Sequence, residues 1–159
     1  MSDYRRVRIP GGCYFFTVNL AVRGNNDLLV RHWPVLRAVI ADVRRARPFR
    51  IDAFVVLPDH LHSVWTLPEG DADIAVRWML TKTGFSRRLP PGEPRSTSRR
   101  HRGERGIWQR RFWEHAIRDD RDFAAHVDYV HFNPVRHGYV SEPAAWPHST
   151  YRQHCEGLR

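Results

Sequence analysis

The chain has 159 residues, enough for one domain with its own core and short for two. Hydrophobic residues make up 42% and aromatics 12%, which excludes a disordered tract, and the formal net charge of +9 points to a polyanionic partner. Of the 26 basic residues only Lys82 is a lysine; guanidinium forks suit phosphate contacts and base stacking, although a GC-rich coding sequence gives the same skew.

After the Pro-Gly-Gly step, CYFFTVNLAV (13–22) is rich in β-branched and aromatic residues and reads as a strand, followed by a turn at Asn25-Asn26-Asp27. From Pro34 to Arg47, Leu36, Val39, Ile40 and Val43 recur at helical steps with arginines opposite, which predicts an amphipathic helix with Pro34 in its first turn. IDAFVVL (51–57) and HLHSVWTL (60–67), joined by Pro58-Asp59, predict a hairpin. Asp71 or Asp73 is placed to cap a helix through IAVRWMLTKTGFSRRL. PPGEPRSTSRRHRGERG (90–106) has no periodicity and reads as a mobile basic loop, after which IWQRRFWEHAI (107–117) is strand-like. RDDRDFAAHVDYVHF predicts a helix capped by Asp119, with Asp122 at its third position and Pro134 expected to end it just after Asn133. Past Gly138 the chain is a short, weakly patterned tail.

This order predicts a single α+β domain over 1–159, an antiparallel sheet of four or five strands covered by helices. Cys13 and Cys155 show no paired spacing and fit free thiols in a reducing compartment. No segment reads as a cleaved signal or a membrane span, so a cytoplasmic protein with no membrane partner is expected.

Two stretches carry candidate chemistry. In a strand, His60 and His62 point to one face while Leu61 points to the other, so two imidazoles can share a metal ion that still needs a third protein ligand. Alone, His-x-His in a strand is more often a pair of surface histidines. On the last long helix, Phe123, Val127 and Val130 form the apolar stripe, and Asp122, His126, Tyr129 and Asn133 lie along its polar edge. Taken singly, Tyr129 reads as an aromatic that wets its hydroxyl, and Asn133 as a helix C-cap. Taken with His60 and His62, they offer a hydroxyl nucleophile and an oxygen ligand for phosphodiester chemistry. His126 is a candidate to orient Tyr129 or a phosphate; His115, His131 and His137 read as packing, capping or phosphate contacts. For polyanion contacts the candidates are Arg99, Arg100, Arg102 and Arg105 of the loop, with Trp108, Arg110, Arg111 and Trp113 after it. The alternative for that last segment is an alternating strand with its tryptophans in the core.

VLPDHLHSVW, GIWQRRFWEHAIRDDRDFAAHVDYVHFNPVRHGYV and WPHSTYR, in this order, resemble the REP-associated tyrosine transposases. These are single-tyrosine relatives of the small insertion-sequence transposases in the His-hydrophobic-His (HUH) nuclease superfamily, and the similarity runs from about residue 13 to 152. The resemblance implies a ferredoxin-like HUH fold, Mg²⁺ or Mn²⁺ bound by His60, His62 and Asn133, and Tyr129 as the nucleophile that becomes 5′-phosphotyrosyl. It implies single-stranded or hairpin DNA as substrate, the repetitive extragenic palindromes, at the nucleoid, with no nucleotide cofactor, by a monomer or a homodimer that exchanges the tyrosine helix. Leu57 and Asp59 depart from a frequent methionine and asparagine, at positions read as outside the chemistry, and the basic loop is long. The rival readings are a domesticated, non-catalytic hairpin binder and a metal hydrolase with no covalent step.

Overall fold

The computed structural model describes residues 6–157. β1 (Cys13–Asn19) leads through a one-turn helix α1 (Leu28–Arg31) into α2 (Trp33–Ala46), whose buried Leu36, Val39, Ile40 and Val43 are the stripe expected from the sequence. β2 (Arg50–Val56) and β3 (His60–Thr66) form the expected hairpin, and Asp73 caps α3 (Ile74–Arg88) by accepting from Val76 N at 3.1 Å. β4 (Trp113–Ala116) precedes α5 (Asp120–Arg136). The sheet has four strands in the order β2-β3-β1-β4, every neighbouring pair antiparallel, the arrangement of the split βαβ fold.

Strand alternation sends side chains to two cores. Tyr14, Phe16, Val18, Phe54, Val56, Leu61 and Trp65 face α2 and α3, with Trp65 stacked on Trp78 at 4.2 Å. Gly84 lets α3 approach closely, since a Cβ there would stand 2.8 Å from Val39 Cγ1. Phe15, Ala53, Val55, Leu57 and Val64 face α5, meeting Val127 and Val130. Among the described residues, no helix is long and apolar enough to cross a membrane.

Four expectations change. The strand expected over 107–117 shrinks to β4, with Trp108 only bridging Leu20 and the Arg110 side chain turned to Glu104 and Ser98 of the loop. Within 90–106, a short helix α4 (Thr97–His101) forms where Ser96 caps it by accepting from Arg99 N at 3.2 Å. Pro134 does not end α5: the helix runs on to Arg136, and Gly138, at φ +75°, closes it. A proline removes one N–H but leaves its own carbonyl, which accepts from Tyr139 N at 3.0 Å. The weakly patterned tail is instead sewn to the outer edge of β2. Val56 N donates to His148 O at 2.9 Å, Thr150 N to Phe54 O at 2.9 Å, and the Trp146 indole to Val56 O at 2.8 Å, ahead of a final helix α6 (Tyr151–Gly157).

Candidate functional site

His60 and His62 both point from β3 toward α5 and are each 4% exposed, while Leu61 joins the opposite core. Their rings stand edge to face, 5.0 Å apart. Each Nδ1 is engaged: His60 with Asp59 Oδ1 at 2.7 Å, and His62 with Thr17 Oγ1 at 2.9 Å, the residue opposite it in the β1–β3 register. In the tautomer with the proton on Nδ1, each Nε2 would keep a lone pair for an ion, the usual outer-shell arrangement of ligating histidines. Burial, reinforced by the neighbouring His60 and His137, pushes the His62 imidazole down to about 3; burial also lowers His60, against the pull of Asp59. Both rings are therefore neutral at physiological pH, the form that binds metal.

Asp59 is part of this arrangement, contrary to its reading as a position outside the chemistry. Burial opposes its ionisation, but hydrogen bonds from Gly24 N–H, His60 and Arg23 outweigh that and hold its carboxyl at about 2. Arg23 reaches it through Nε at 3.1 Å and also donates to Asn19 Oδ1, so one guanidinium ties together the end of β1 and the start of β3.

Opposite the histidines runs α5, capped by Asp119, which accepts from Asp122 N at 2.7 Å. Tyr129, Asn133 and His137 lie a turn apart on one face. The Tyr129 ring is edge-on to His62 at 5.3 Å and to Phe15 at 5.6 Å, and the His137 ring lies 5.2 Å from His60. Asn133, between them in the helix, is 1% exposed, and its Oδ1 has no hydrogen-bond partner. It is a helix-interior residue and not the C-cap, since its main-chain carbonyl accepts from His137 N at 3.0 Å. A buried carbonyl oxygen left alone costs about 1–3 kcal/mol, and an ion held by the two free imidazole nitrogens would satisfy it. The donor set, two nitrogens and one oxygen, thus fits a divalent cation. The Arg136 guanidinium covers the Tyr129 ring at 4.9 Å.

His126 bonds elsewhere than to Tyr129: its Nδ1 lies 2.9 Å from Asp122 O and 3.1 Å from Asp122 Oδ1, and its ring stacks on His115 at 4.7 Å. The residues expected to contact DNA divide sharply. Trp108 is core, 6% exposed, with its indole donating to Lys82 O at 3.2 Å, so it has no free face for a base. Arg105 fastens the loop, donating to Glu93 Oε2 at 2.8 Å, Leu89 O at 2.9 Å and Pro90 O at 2.9 Å. Arg99 donates to Arg105 O and Trp108 O, Arg100 to Arg95 O, and Arg110 to Glu104 and Ser98. A guanidinium with five donors can hold a proline-rich loop that lacks ladder hydrogen bonds, and the count of arginines in the sequence could not separate that use from phosphate contacts. Arg102 and Arg111 are exposed, and Trp113 is 53% exposed on the same sheet face as His62, edge-on to Phe15 at 5.7 Å.

Sequence reasoning missed Thr17, Arg23, Asp59 and His137 as members of the site. Only the strand register identifies Thr17 and only the loop path identifies Arg23, whereas Asp59 beside His60 was a legible signal.

No protein-family profile matches the chain. Individual proteins do. It is 47% identical over 153 residues to the REP-associated tyrosine transposase of Escherichia coli K12, spanning 96% of this chain and 84% of that one. Over 154 residues it is 43% identical to a candidate REP-associated tyrosine transposase of Haemophilus influenzae Rd, spanning 96% of this chain and 87% of that one. Among solved structures, a REP-associated tyrosine transposase bound to a REP hairpin superposes with a TM-score of 0.84 at 47% identity, covering all of this chain and 88% of that one. A candidate transposase of Deinococcus radiodurans shares the fold at a TM-score of 0.50 and 16% identity, over 82% of this chain and 95% of that one. With the α+β HUH fold, the histidine pair on β3 and the tyrosine on α5, the chain belongs to the REP-associated tyrosine transposases.

Proposed function

We propose that the chain nicks and rejoins single-stranded DNA beside hairpins of the REP type, with Tyr129 as nucleophile and His60, His62 and Asn133 holding Mg²⁺ or Mn²⁺. The observation that carries this reading is the buried, unpartnered Asn133 Oδ1, on the helix face between Tyr129 at His62 and His137 at His60. A bound divalent ion would act there as a Lewis acid on a phosphate oxygen. Abundance favours Mg²⁺ and the imidazole ligands favour Mn²⁺. The hairpin itself enters by likeness to the solved relative, which is bound to one.

The protein's own part in the reaction is as follows. Tyr129 loses its phenolic proton to solvent, its oxygen forms a bond to phosphorus, and the P–O3′ bond breaks, the 3′ oxygen taking up a proton to leave as a free 3′-OH. The DNA 5′ phosphate stays on the tyrosine. A phenolate is a good leaving group, so a 3′-OH can attack the same phosphorus and release Tyr129 with no nucleotide cofactor. Asp59 and Thr17 fix the two imidazoles, and the Arg136 guanidinium packed over the Tyr129 ring helps to position that ring. Exposed Arg102 and Arg111 would neutralise phosphates, and Trp113 would stack a base beside the site.

The test incubates the chain with a single-stranded hairpin oligonucleotide carrying flanking DNA, with Mg²⁺ or Mn²⁺ or with chelator. The expected result is a denaturant-stable protein–DNA adduct that requires metal and is absent from Tyr129→Phe. Cleavage that persists in Tyr129→Phe would assign a hydrolase without a covalent step, and hairpin binding with no cleavage in either metal would assign a binder. Tyr129 meets His62 of its own chain, which supports action in cis. Mixing inactive Tyr129→Phe with inactive His62→Ala should then restore no adduct.

A further inference from the structure

A second group of ligating side chains lies on the same sheet face, on the far side of Phe15. The Phe15 ring is stacked against His62 at 5.6 Å on one side and packs against His126 at 4.9 Å on the other. His115 comes from β4, opposite Phe15 in the strand register, and Asp122 and His126 come from successive turns at the start of α5. Each of the three offers a donor atom, and these atoms all lie within 4.8 Å of one another. His115 Nε2 is 2.8 Å from Asp122 Oδ2, and His126 Nδ1 is 3.1 Å from Asp122 Oδ1. We propose that His115, Asp122 and His126 bind a divalent transition-metal ion, with Zn²⁺ the best-matched species, at a site separate from that of His60, His62 and Asn133.

The chemistry of the donor set carries the choice of ion. Two imidazoles and one carboxylate at metal–ligand distances of about 2.0–2.2 Å are the ligands of open zinc sites. β4 and the first two turns of α5 supply the donors from either side of the short turn at 117–119, so the site joins a strand to a helix and is more than the i,i+4 pair of Asp122 and His126. The carboxylate is already aimed, since Asp122 Oδ2 accepts from Arg118 N at 2.9 Å. All three residues are half-buried, which leaves one coordination position open to water or to a phosphate oxygen. The Arg118 guanidinium, with Nε 3.6 Å from the same Oδ2, competes for the carboxylate and limits the affinity. An ion here would take the place of the imidazole protons now directed at Asp122 and cross-link β4 to the first turn of α5, the helix that carries Tyr129. It would also set the ring of His115, on which Trp113 lies parallel at 6.3 Å and 9°. The proposal does not depend on Tyr129 being a nucleophile.

Zn²⁺ and Co²⁺ binding to the full chain tests it. Equilibrium dialysis should give about two Zn²⁺ per chain, and about one in the His60→Ala/His62→Ala chain. In that background, adding His115→Ala or His126→Ala should weaken the remaining site at least about tenfold and abolish the visible Co²⁺ bands. A measurement free of substitutions follows carbethoxylation of histidines in the unaltered chain: Zn²⁺ should protect His115 and His126. No Zn²⁺ on the His60→Ala/His62→Ala chain, binding indifferent to His115→Ala and His126→Ala, or unchanged labelling of both rings would each overturn the assignment.

Discussion

The two faces of the sheet are built on opposite terms. Toward α2 and α3, Trp65 is fully buried between Trp78 at 4.2 Å, Phe49 at 4.1 Å and Phe16 at 4.9 Å. Toward α5, the apolar patch is small, and β1 and β3 present Thr17, Asn19, His60 and His62 instead. Both faces contain orphaned polar atoms, the indole nitrogens of Trp65 and Trp78 on one and Asn133 Oδ1 on the other. Magnitude separates them. A tryptophan buries about 150–250 Å², worth roughly 4–6 kcal/mol at 25 cal/mol per Å², which exceeds the about 1–3 kcal/mol cost of an unpaired N–H. Asn133 has no comparable apolar area to offset its orphan. One face holds the fold together, and the other spends part of that stability on keeping a carbonyl and two neutral imidazoles ready.

Substitutions break the comparison in order of size. Trp65→Ala should cost about 3–5 kcal/mol in urea unfolding and leave the site's chemistry intact in whatever fraction stays folded. Acid should act on the α5 side. His62, held at about 3, and His131, held at about 4 by burial and by His154, both rise to about 6.5 when the chain unfolds. The unfolded chain then binds more protons, so stability is complete above about pH 6.5 and falls by a few kcal/mol between there and about pH 4. Urea midpoints against pH in chelator check this, and His131→Gln should flatten the curve. Asn133→Leu should move stability in the other direction, raising it by about 1 kcal/mol by removing the orphan at similar volume, while abolishing the metal-dependent adduct. A loss of stability on Asn133→Leu would show that the carbonyl is satisfied by a partner within the fold.

The packed face was legible because its signals are local and redundant: Leu36, Val39, Ile40 and Val43 at helical spacing, a hairpin marked by Pro58-Asp59, and the aromatic run of β1. The histidine pair was legible for the same reason, alternation along one strand. The rest depends on tertiary placement. Thr17 meets His62 only through the β1–β3 register, and Arg23 meets Asp59 only because the loop after β1 folds back on the hairpin. The end of α5 is not legible from Pro134, because a proline's lost N–H does not stop a helix whose next carbonyls find donors in His137, Gly138 and Tyr139. The loop 90–106 shows the limit of composition, which counts guanidinium groups without saying whether a phosphate or a carbonyl occupies them.

Two tryptophans five positions apart give the smallest and most selective test. Trp108 and Trp113 looked equivalent in sequence as candidates to stack bases, yet one is 6% exposed and the other 53%. Trp113 rests its ring parallel to His115 and edge-on to Phe15, with much of its surface open on the face that carries His62. Removing it takes little apolar area out of the core, so Trp113→Ala should change stability by no more than about 0.5 kcal/mol. A base stacked on it would contribute about 1–3 kcal/mol, so single-stranded DNA affinity should fall roughly fivefold to a hundredfold. Trp108→Ala should reverse the pattern, costing about 3–5 kcal/mol of stability through the cavity left against Phe85, with DNA affinity changed only as far as unfolding requires. Fluorescence anisotropy on a labelled hairpin, run beside urea melts, separates the two. Unchanged affinity in Trp113→Ala at matched folded fraction would mean that the exposed ring lies outside the DNA path, and that the aromatic edge of the site serves packing alone.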